Sequence, residues 1–578
     1  MGAMFRPAAL ASRFAAVAAL VLVVGMLPWL SGGDPALSVL RARSAERDPD
    51  PEALAAIRDQ LGLDAGPLVL LGRWLTGLAS GDAGTSWVSG KPVLPGVLAG
   101  LGVSLTLMAG AIVVAVLVAG ALVAPTLAAA SRGRPRSASG AVAAMLTAVP
   151  EFLLASVLLI VFAVWLRWAP PFGWEGPENL VLPAIAMGVP AGGLLGRLLD
   201  DALPAAAGEQ WTTTWTVLGV GRARIAGGVL RRSLPALLPQ LALVVVGLVG
   251  GAVAVEELFA IPGIGRMALG AAVAQDLPLL QACLLVLLLT GFAASAVSAA
   301  LHLLLIGRAL RGTTLPVAQR AAAGPGRLAR VLPVVFASAL ILLVAVGLFR
   351  DPTAVDVSLR LAAPSWERPL GADALGRDML ARVAHGALRT ALVALLVTAV
   401  ALVLGLGLGF LPRLSGGPVE VLNAMPPVLA GLITAAVLGP STAGAAVAVV
   451  LVAWAPLAAH TTALVREERA ATHVQASRVA GGDRSWILRA HVLPAVFPPV
   501  FRHALLRLPG TALALASLGF LGLGAQPPEP EWGLVLSEAM PYVERAPWAA
   551  LAPTAALALL GALAVSTSSL GRRIAVGG

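Results

Sequence analysis

The chain has one cysteine, one tyrosine and one lysine in 578 residues. Cys283 stands alone in the run LLQACLLVLLL, so no disulfide closes within the chain and no cysteine-based metal site forms. It reads as a small packing residue. Lys91 lies in SGKPV, and no Gly-x4-Gly-Lys-Ser/Thr loop is present, so the chain lacks the usual backbone cradle for nucleotide phosphates. A His-Glu-x-x-His pair and a Gly-x-Ser-x-Gly elbow are also missing. His302, His385, His460, His473, His491 and His503 fall near expected span ends or in loops, where they read as solvated or capping residues rather than metal ligands. The chain is expected to be neither an enzyme nor the holder of a cofactor or metal.

Charge is scarce as well. Only 12% of residues are charged and 58% are hydrophobic, with a mean hydropathy of +0.88. Soluble domains are about a quarter charged, so this composition belongs to a membrane protein. Apolar stretches of spanning length, roughly 20 residues each, number about twelve: 14–31, 98–129, 140–167, 179–204, 236–257, 278–306, 331–349, 386–412, 419–439, 442–463, 498–522 and 547–569. Helices satisfy their own backbone polar groups in lipid. The expected fold is therefore an all-α polytopic membrane protein with about 12 transmembrane helices.

The net charge of +10 is almost entirely arginine. Cytoplasmic loops of membrane proteins carry such an excess, which makes nucleic acid an unnecessary partner. With abundant Ala, Gly and Pro, the arginine bias suggests a GC-rich bacterial genome. The same rule orients the chain. Arg132, Arg134 and Arg136 share a loop without an acid, and the segment 308–330 has five arginines and no acid, so both are expected in the cytoplasm. Ser31–Gly100 is rich in acids, among them Asp34, Glu46, Asp50, Asp64 and Asp82, and Arg350–Arg382 is mixed. Both are expected outside. Arg6 and Arg13 before the first apolar run fit a retained helix with a cytoplasmic N-terminus better than a cleaved leader.

The expected organisation follows: 1–97, first helix and extracytoplasmic subdomain; 98–307, first transmembrane domain; 308–330, cytoplasmic linker; 331–385, helix and outer segment of the second half; 386–573, second transmembrane domain. Each half carries a polar insertion after its fourth span. One is QWTTTWTVLGVGRARIAGGVLRRSLPALLP, residues 210–239, and the other AATHVQASRVAGGDRSWILRAHVLP, residues 470–494. Gly219 and Gly481 are equivalent and lie 262 residues apart. Glycine at each point permits a helix to stop and reverse. In the second copy Val474, Ser477, Val479 and Ile487–Leu488 supply an interrupted apolar face, and Arg478, Arg484 and Arg489 the charge. A lone insertion of this kind reads equally well as an interfacial amphipathic helix. Two at matching positions, in parallel rather than inverted halves, read as contact points for a cytoplasmic partner.

These insertions resemble the docking loop of permease subunits from ATP-binding-cassette importers of the dipeptide/oligopeptide/nickel type. The family pattern is Glu-Ala-Ala-x-x-x-Gly-x9-Ile-x-Leu-Pro. Here the second copy has Gln475, Ala476 and Gly481, then Leu493-Pro494; the first has Thr213 and Gly219, then Leu238-Pro239. Both keep the glycine; Thr213 and Gln475 stand in the place of the glutamate. Further segments resemble the two companion permeases of such systems. Residues 33–36 (GDPA), 81–86 (GDAGTS) and 259–266 (FAIPGIGR) are similar to the first permease. Residues 371–378 (GADALGRD) and 520–533 (FLGLGAQPPEPEWG) are similar to the second, and PRLSGGPVEVL is similar to the loop after its second span, in a shorter form.

The resemblance implies two permeases fused in one chain with the type I importer fold, seated in a bacterial cytoplasmic membrane. ATP would be hydrolysed by separate ATP-binding-cassette subunits, or a fused one, docked at the two hairpins. Cargo would arrive from an extracytoplasmic binding protein at the loops containing Pro262, Gly263, Gly265, Gly522, Gly524, Pro527 and Pro528. The implied cargo is peptide, with nickel or another metal chelate as the alternative. A carrier driven by an ion gradient is the rival of another class. The acids Asp200-Asp201 and Glu256-Glu257 lie near expected span ends, while Glu151 is nearest an interior position or caps its helix; no chain of carboxylates runs along one span, which weighs against it.

Overall fold

The computed structural model describes residues 7–30, 36–37, 39–40, 50–132, 141–234, 238–306, 327–423 and 425–574. Most of the linker 308–330, residues 133–136 of the arginine loop and residues 33–35 of the motif GDPA lie outside them. From the N-terminus the helices are α1 (Pro7–Gly25), α2 (Pro51–Leu61), α3 (Pro67–Ser80), α4 (Val93–Ala130), α5 (Ala141–Ala148) and α6 (Glu151–Leu158). There follow α7 (Glu178–Ala207), α8 (Gln210–Val217), α9 (Arg222–Ser233), α10 (Leu238–Leu258), α11 (Ile264–Val273) and α12 (Leu277–Ile306). The second half contributes α13 (Arg327–Gly347), α14 (Met379–Gly409), α15 (Pro412–Asn423), α16 (Pro427–Leu438) and α17 (Thr442–Ala470). It ends with α18 (Thr472–Val479), α19 (Arg484–Ile487), α20 (Leu493–Phe520), α21 (Trp532–Ala539) and α22 (Pro547–Ile574). Among the described residues the only β pairing is two isolated bridges, Thr85 with Pro92 and Ala372 with Asp378.

Six of these helices are long and apolar enough to cross a membrane: α4, α7, the Leu277–Ser298 part of α12, α14, α17 and the Pro547–Ala564 part of α22. A seventh span arises if Ser415–Asn423 and Pro427–Leu438, bent by 101° between them, are taken together. The chain is an all-α polytopic membrane protein, and fewer of its helices are continuous apolar rods than the hydropathy pattern suggests. The reasons are local. Pro150 caps α6 in an extended conformation and so divides the stretch 140–167 into two short helices. PRLSGGPVEVL, expected as a loop, is helix α15. Helix α20 has 28 residues but carries Arg502, His503 and Arg507.

The chain forms two compact units, each assembled from both sequence halves. One contains residues 1–98, 267–286 and 385–538. In it α1 packs on α15, where Arg13 pairs with Glu420 at 2.8 Å and the Gly417 N–H donates to Ser12 Oγ at 3.1 Å. The other contains residues 99–266, 287–384 and 539–578. There α7 packs on α5 and α6, and α22 on α13 and α5.

Small residues set the closest helix contacts, as expected where lipid supplies no hydrophobic drive between helices. Gly188, Gly192 and Gly196 form a stripe on α7 against α4; a β-carbon at Gly192 would lie 2.7 Å from the Ala115 carbonyl oxygen. In the other unit the stripe is on the equivalent of α4 instead. Gly405 and Gly409 of α14 meet Leu457 and Thr461 of α17, each 2.5 Å from where a β-carbon would stand.

Candidate functional site: the paired hairpins and the glycine-bearing loops

Each polar insertion is a helix–turn–helix hairpin, and the two turns have the same hydrogen bonds. In the first, the N–H groups of Leu218, Gly219 and Val220 donate to the carbonyls of Thr214, Thr216 and Trp215 at 3.0, 3.1 and 3.0 Å. In the second, Ala480, Gly481 and Gly482 donate to Ala476, Arg478 and Ser477 at 2.9, 3.1 and 2.9 Å. Every donor and acceptor in one set is displaced from its counterpart by 262 residues. Gly219 and Gly481 adopt φ of 72° and 87°. This left-handed stop satisfies the last helical carbonyls and costs a side-chain-bearing residue about 1–2 kcal/mol.

Each hairpin is held to its unit by apolar anchors. Ile225 and Val229 of α9 are buried with Leu203 of α7 and Val123 of α4. In the second copy Val474 of α18 and Ile487 of α19 are buried with Val465 of α17 and Val496 and Val500 of α20. Thr212 stands in the register of Val474 and is also buried; its hydroxyl donates to the Ala207 carbonyl at 2.7 Å. The polar fastenings differ. Glu209 accepts from Trp211 Nε1 at 2.8 Å and from Arg232 Nε at 3.1 Å, closing the first hairpin. The second has Asp483 at the start of α19, accepting from the hydroxyl and the N–H of Ser485. The Ser485 hydroxyl, above all, holds the Asp483 carboxyl below the usual aspartate range. His491 then reaches Ser477 Oγ at 3.2 Å.

The residues of the docking pattern lie on the solvent side. Thr213, Gln475, Ala476, Leu493 and Pro494 are exposed, and Gln475 turns its amide back to the Ala470 carbonyl at 3.1 Å. Leu238 and Pro239 open α10, and their side chains lie outside the described residues. One part of the expected apolar face is different. Val474 and Ile487 face inward, but Val479 points out, 90% exposed. Its counterpart Val217 is 82% exposed, beside Leu218 at 73%. Burial of Val474 fixes the helix rotation, and Val479, five residues on, falls on the far side. Both hairpins thus present an uncovered valine next to the turn glycine. Matching the two insertions residue by residue would have revealed the pair; reading each alone did not.

The glycine-bearing loops around Gly263 and Gly522 are built around buried carboxylates. Glu256, expected near water, has no exposed surface. It accepts from Ser104 Oγ at 2.5 Å and from the Arg266 N–H at 3.0 Å, and Ser104 Oγ in turn accepts from the Ile264 N–H at 3.0 Å. Gly263 and Gly265 pack directly on this carboxylate, while Pro262 is exposed. Neighbouring Glu257 is partly exposed and pairs with Arg266 at 3.4 Å.

In the second half the carboxylate follows the loop instead of preceding it. Glu531 accepts from the Leu534 N–H at 2.9 Å and lies against Gly519. Thr390, at the same offset in α14 as Ser104 in α4, shares with it a cavity of about 20 Å³. Burial pushes the Glu531 carboxyl up to about 7, against the lowering effect of the Gly533 and Leu534 N–H groups. Gly522 has φ of 72° and ends α20; Gly524 is buried, and Pro527 and Pro528 are exposed. Of the remaining acids named above, Asp200 is buried and accepts from Thr126 Oγ1.

The motif GADALGRD is a folded turn rather than an open loop. Asp373 accepts from Arg377 Nε at 2.6 Å and from the wholly buried Arg382 at 2.8 Å, and Asp378 accepts from Arg350 at 2.7 Å. In the first half Asp276 accepts from Ser86 Oγ and from the Trp87 N–H at 3.0 Å, fastening the end of the motif GDAGTS. No group of three or more metal-ligating side chains occurs among the described residues.

The structure is thus an all-helical membrane chain that carries one hairpin design twice. Residues 116–311 and 398–570 match the model of one family, and the chain belongs to it: the binding-protein-dependent transport system inner membrane components. The di/tripeptide transport system permease protein DppC of Pseudomonas aeruginosa (strain UCBPP-PA14) is 36% identical over 210 residues, 34% of this chain and 69% of that protein. The probable D,D-dipeptide transport system permease protein DdpC of Escherichia coli (strain K12) is 34% identical over 204 residues, 33% of this chain and 67% of its own length. The metal-staphylopine import system permease protein CntB of Staphylococcus aureus (strain Mu50 / ATCC 700699) is 26% identical over 279 residues, 47% of this chain and 89% of its length. Two family matches in one chain make it a fusion of two permeases.

Proposed function

We propose that this chain is the fused permease component of an ATP-driven peptide importer, with twelve spans in two parallel six-helix halves. The organisation is the one expected above: outer subdomain 1–97, transmembrane domains 98–307 and 386–573, linker 308–330 and second outer segment 331–385. Its N-terminus and both hairpins face the cytoplasm of a bacterial cell, and the loops around Gly263 and Gly522 meet the binding protein. ATP-binding-cassette subunits grip the surfaces around Thr213, Gly219, Gln475, Ala476 and Gly481. Closure of those subunits on ATP favours one of two conformations of the permease, which supplies the differential binding energy a switch needs. The observation that carries this reading is the matched turn of the two hairpins with an uncovered valine beside each. Peptide cargo is supported by the likeness to DppC and DdpC. The longer but weaker likeness to CntB favours a metal chelate as the second cargo.

The test is uptake by the permease reconstituted with its ATPase subunits and binding protein. Import of a short peptide that stops when ATP is withheld, and persists when ion gradients are collapsed, supports the proposal. Uptake that follows the ion gradient instead overturns it, as does cross-linking that places either hairpin outside the cell.

A further inference from the structure

Helix α20 is long enough to span a bilayer, yet it carries Arg502, His503 and Arg507. Arg507 is the deepest of them. At 1.5 Å per residue it lies about 14 Å beyond Pro498, where the apolar stretch begins, and about 20 Å before Phe520. An arginine at that depth is costly in lipid and has to line water or protein.

Its direction is fixed by its neighbours. Val500, Ala504 and Thr511 are buried, and Arg507 is seven residues from the first, three from the second and four from the third. It therefore shares their face, the one that packs on α17. Nevertheless its side chain is exposed rather than packed away, so at that depth it has to face water. One turn before it, His503 faces His460 of α17, with ring centroids 4.8 Å apart, and His503 is within electrostatic reach of both His460 and Arg507. Among the described residues no carboxylate pairs with Arg507.

The fold does not require a charge there. When α10 and α20 are matched on Leu238-Pro239 and Leu493-Pro494, the first half has Leu248 and Ala252 where the second has His503 and Arg507. Both are buried.

We infer that Arg507, with His503 and His460 beside it, is a carboxylate-recognition point on the transport route, and that the cargo it passes carries a free carboxylate. This rests on the permease reading above and deepens it. A short peptide has such a group at its C-terminus, and a guanidinium binds it through paired, charge-assisted hydrogen bonds that a lysine does not reproduce in full.

Two measurements on the full transporter in proteoliposomes test this. The first is uptake of trialanine with Arg507→Gln and Arg507→Lys. The expectation is at least a tenfold loss for Arg507→Gln and a smaller loss for Arg507→Lys, with ATP hydrolysis stimulated by the binding protein retained in both. Equal losses in the two variants, or none, overturn the inference. The second is independent of cargo: modification of Arg507 by phenylglyoxal, read by mass spectrometry, with and without sodium propionate or propionamide. Protection by propionate and not by propionamide is expected even if wild-type protein imports no trialanine, an outcome that would sink only the peptide reading. Failure of the reagent to reach Arg507, or equal protection by both probes, overturns the recognition point itself.

Discussion

At the scale of single residues, the proposed docking at the hairpins comes down to two valines. Val217 and Val479 are almost bare although each lies on a short, otherwise anchored helix, and the docking proposed above would cover both. Replacing both with Asp is expected to reduce ATP-dependent uptake at least tenfold and to strip the ATPase subunits during co-purification, with each single change giving a partial loss. Retention of the ATPase by the double variant refutes the assignment. Glu531 provides a pH test. Its carboxyl is raised to about 7 by burial, so the folded state holds a proton that the unfolded state releases above the ordinary glutamate range. Stability from this group is full below about pH 4.5 and falls as pH rises toward 7. Melting temperatures from about pH 5 to about pH 8 should fall in the wild type and fall less in Glu531→Gln.

At the scale of elements, the hairpin turns are set by backbone conformation and the loops around Gly263 and Gly522 by buried acids. Gly481 at φ of 87° predicts that Gly481→Val costs about 1–2 kcal/mol locally. Faster hydrogen exchange at Ala480–Gly482, with the rest of the chain unchanged, checks it. Glu256 holds the Arg266 N–H and, through Ser104, the Ile264 N–H. Glu256→Ala leaves buried donors unsatisfied and should destabilise the protein by about 3 kcal/mol, read as a lower melting temperature; Glu256→Gln should recover much of it. The glycine stops and the Leu-Pro that follows were legible in the sequence because turns depend on local residue type. The carboxylate clasps were not: Ser104 and Glu256 are far apart in the chain, and only folding brings them together.

At the scale of the whole molecule, the compact units ignore the boundary between the sequence halves. Helix α1 packs with α15, and α22 with α5, within units that each draw on both halves. A second half expressed alone would lack α1 and expose the apolar surface it covers. Either half alone is expected to be degraded, whereas the two co-expressed from a chain cut in 308–330 should co-purify. Stable accumulation of one half by itself would show that the exchange of helices is not needed for folding.

The sequence by itself determined the membrane class, the duplication, the family resemblance and the positions of the hairpins, because composition and short-range pattern report directly on solvent and turn chemistry. Only the tertiary structure decided which hairpin residues face outward, which acids are buried and which helices share a unit. Those depend on helix rotation and on contacts between residues hundreds of positions apart, as Ser12 and Gly417 are, and no local pattern records them.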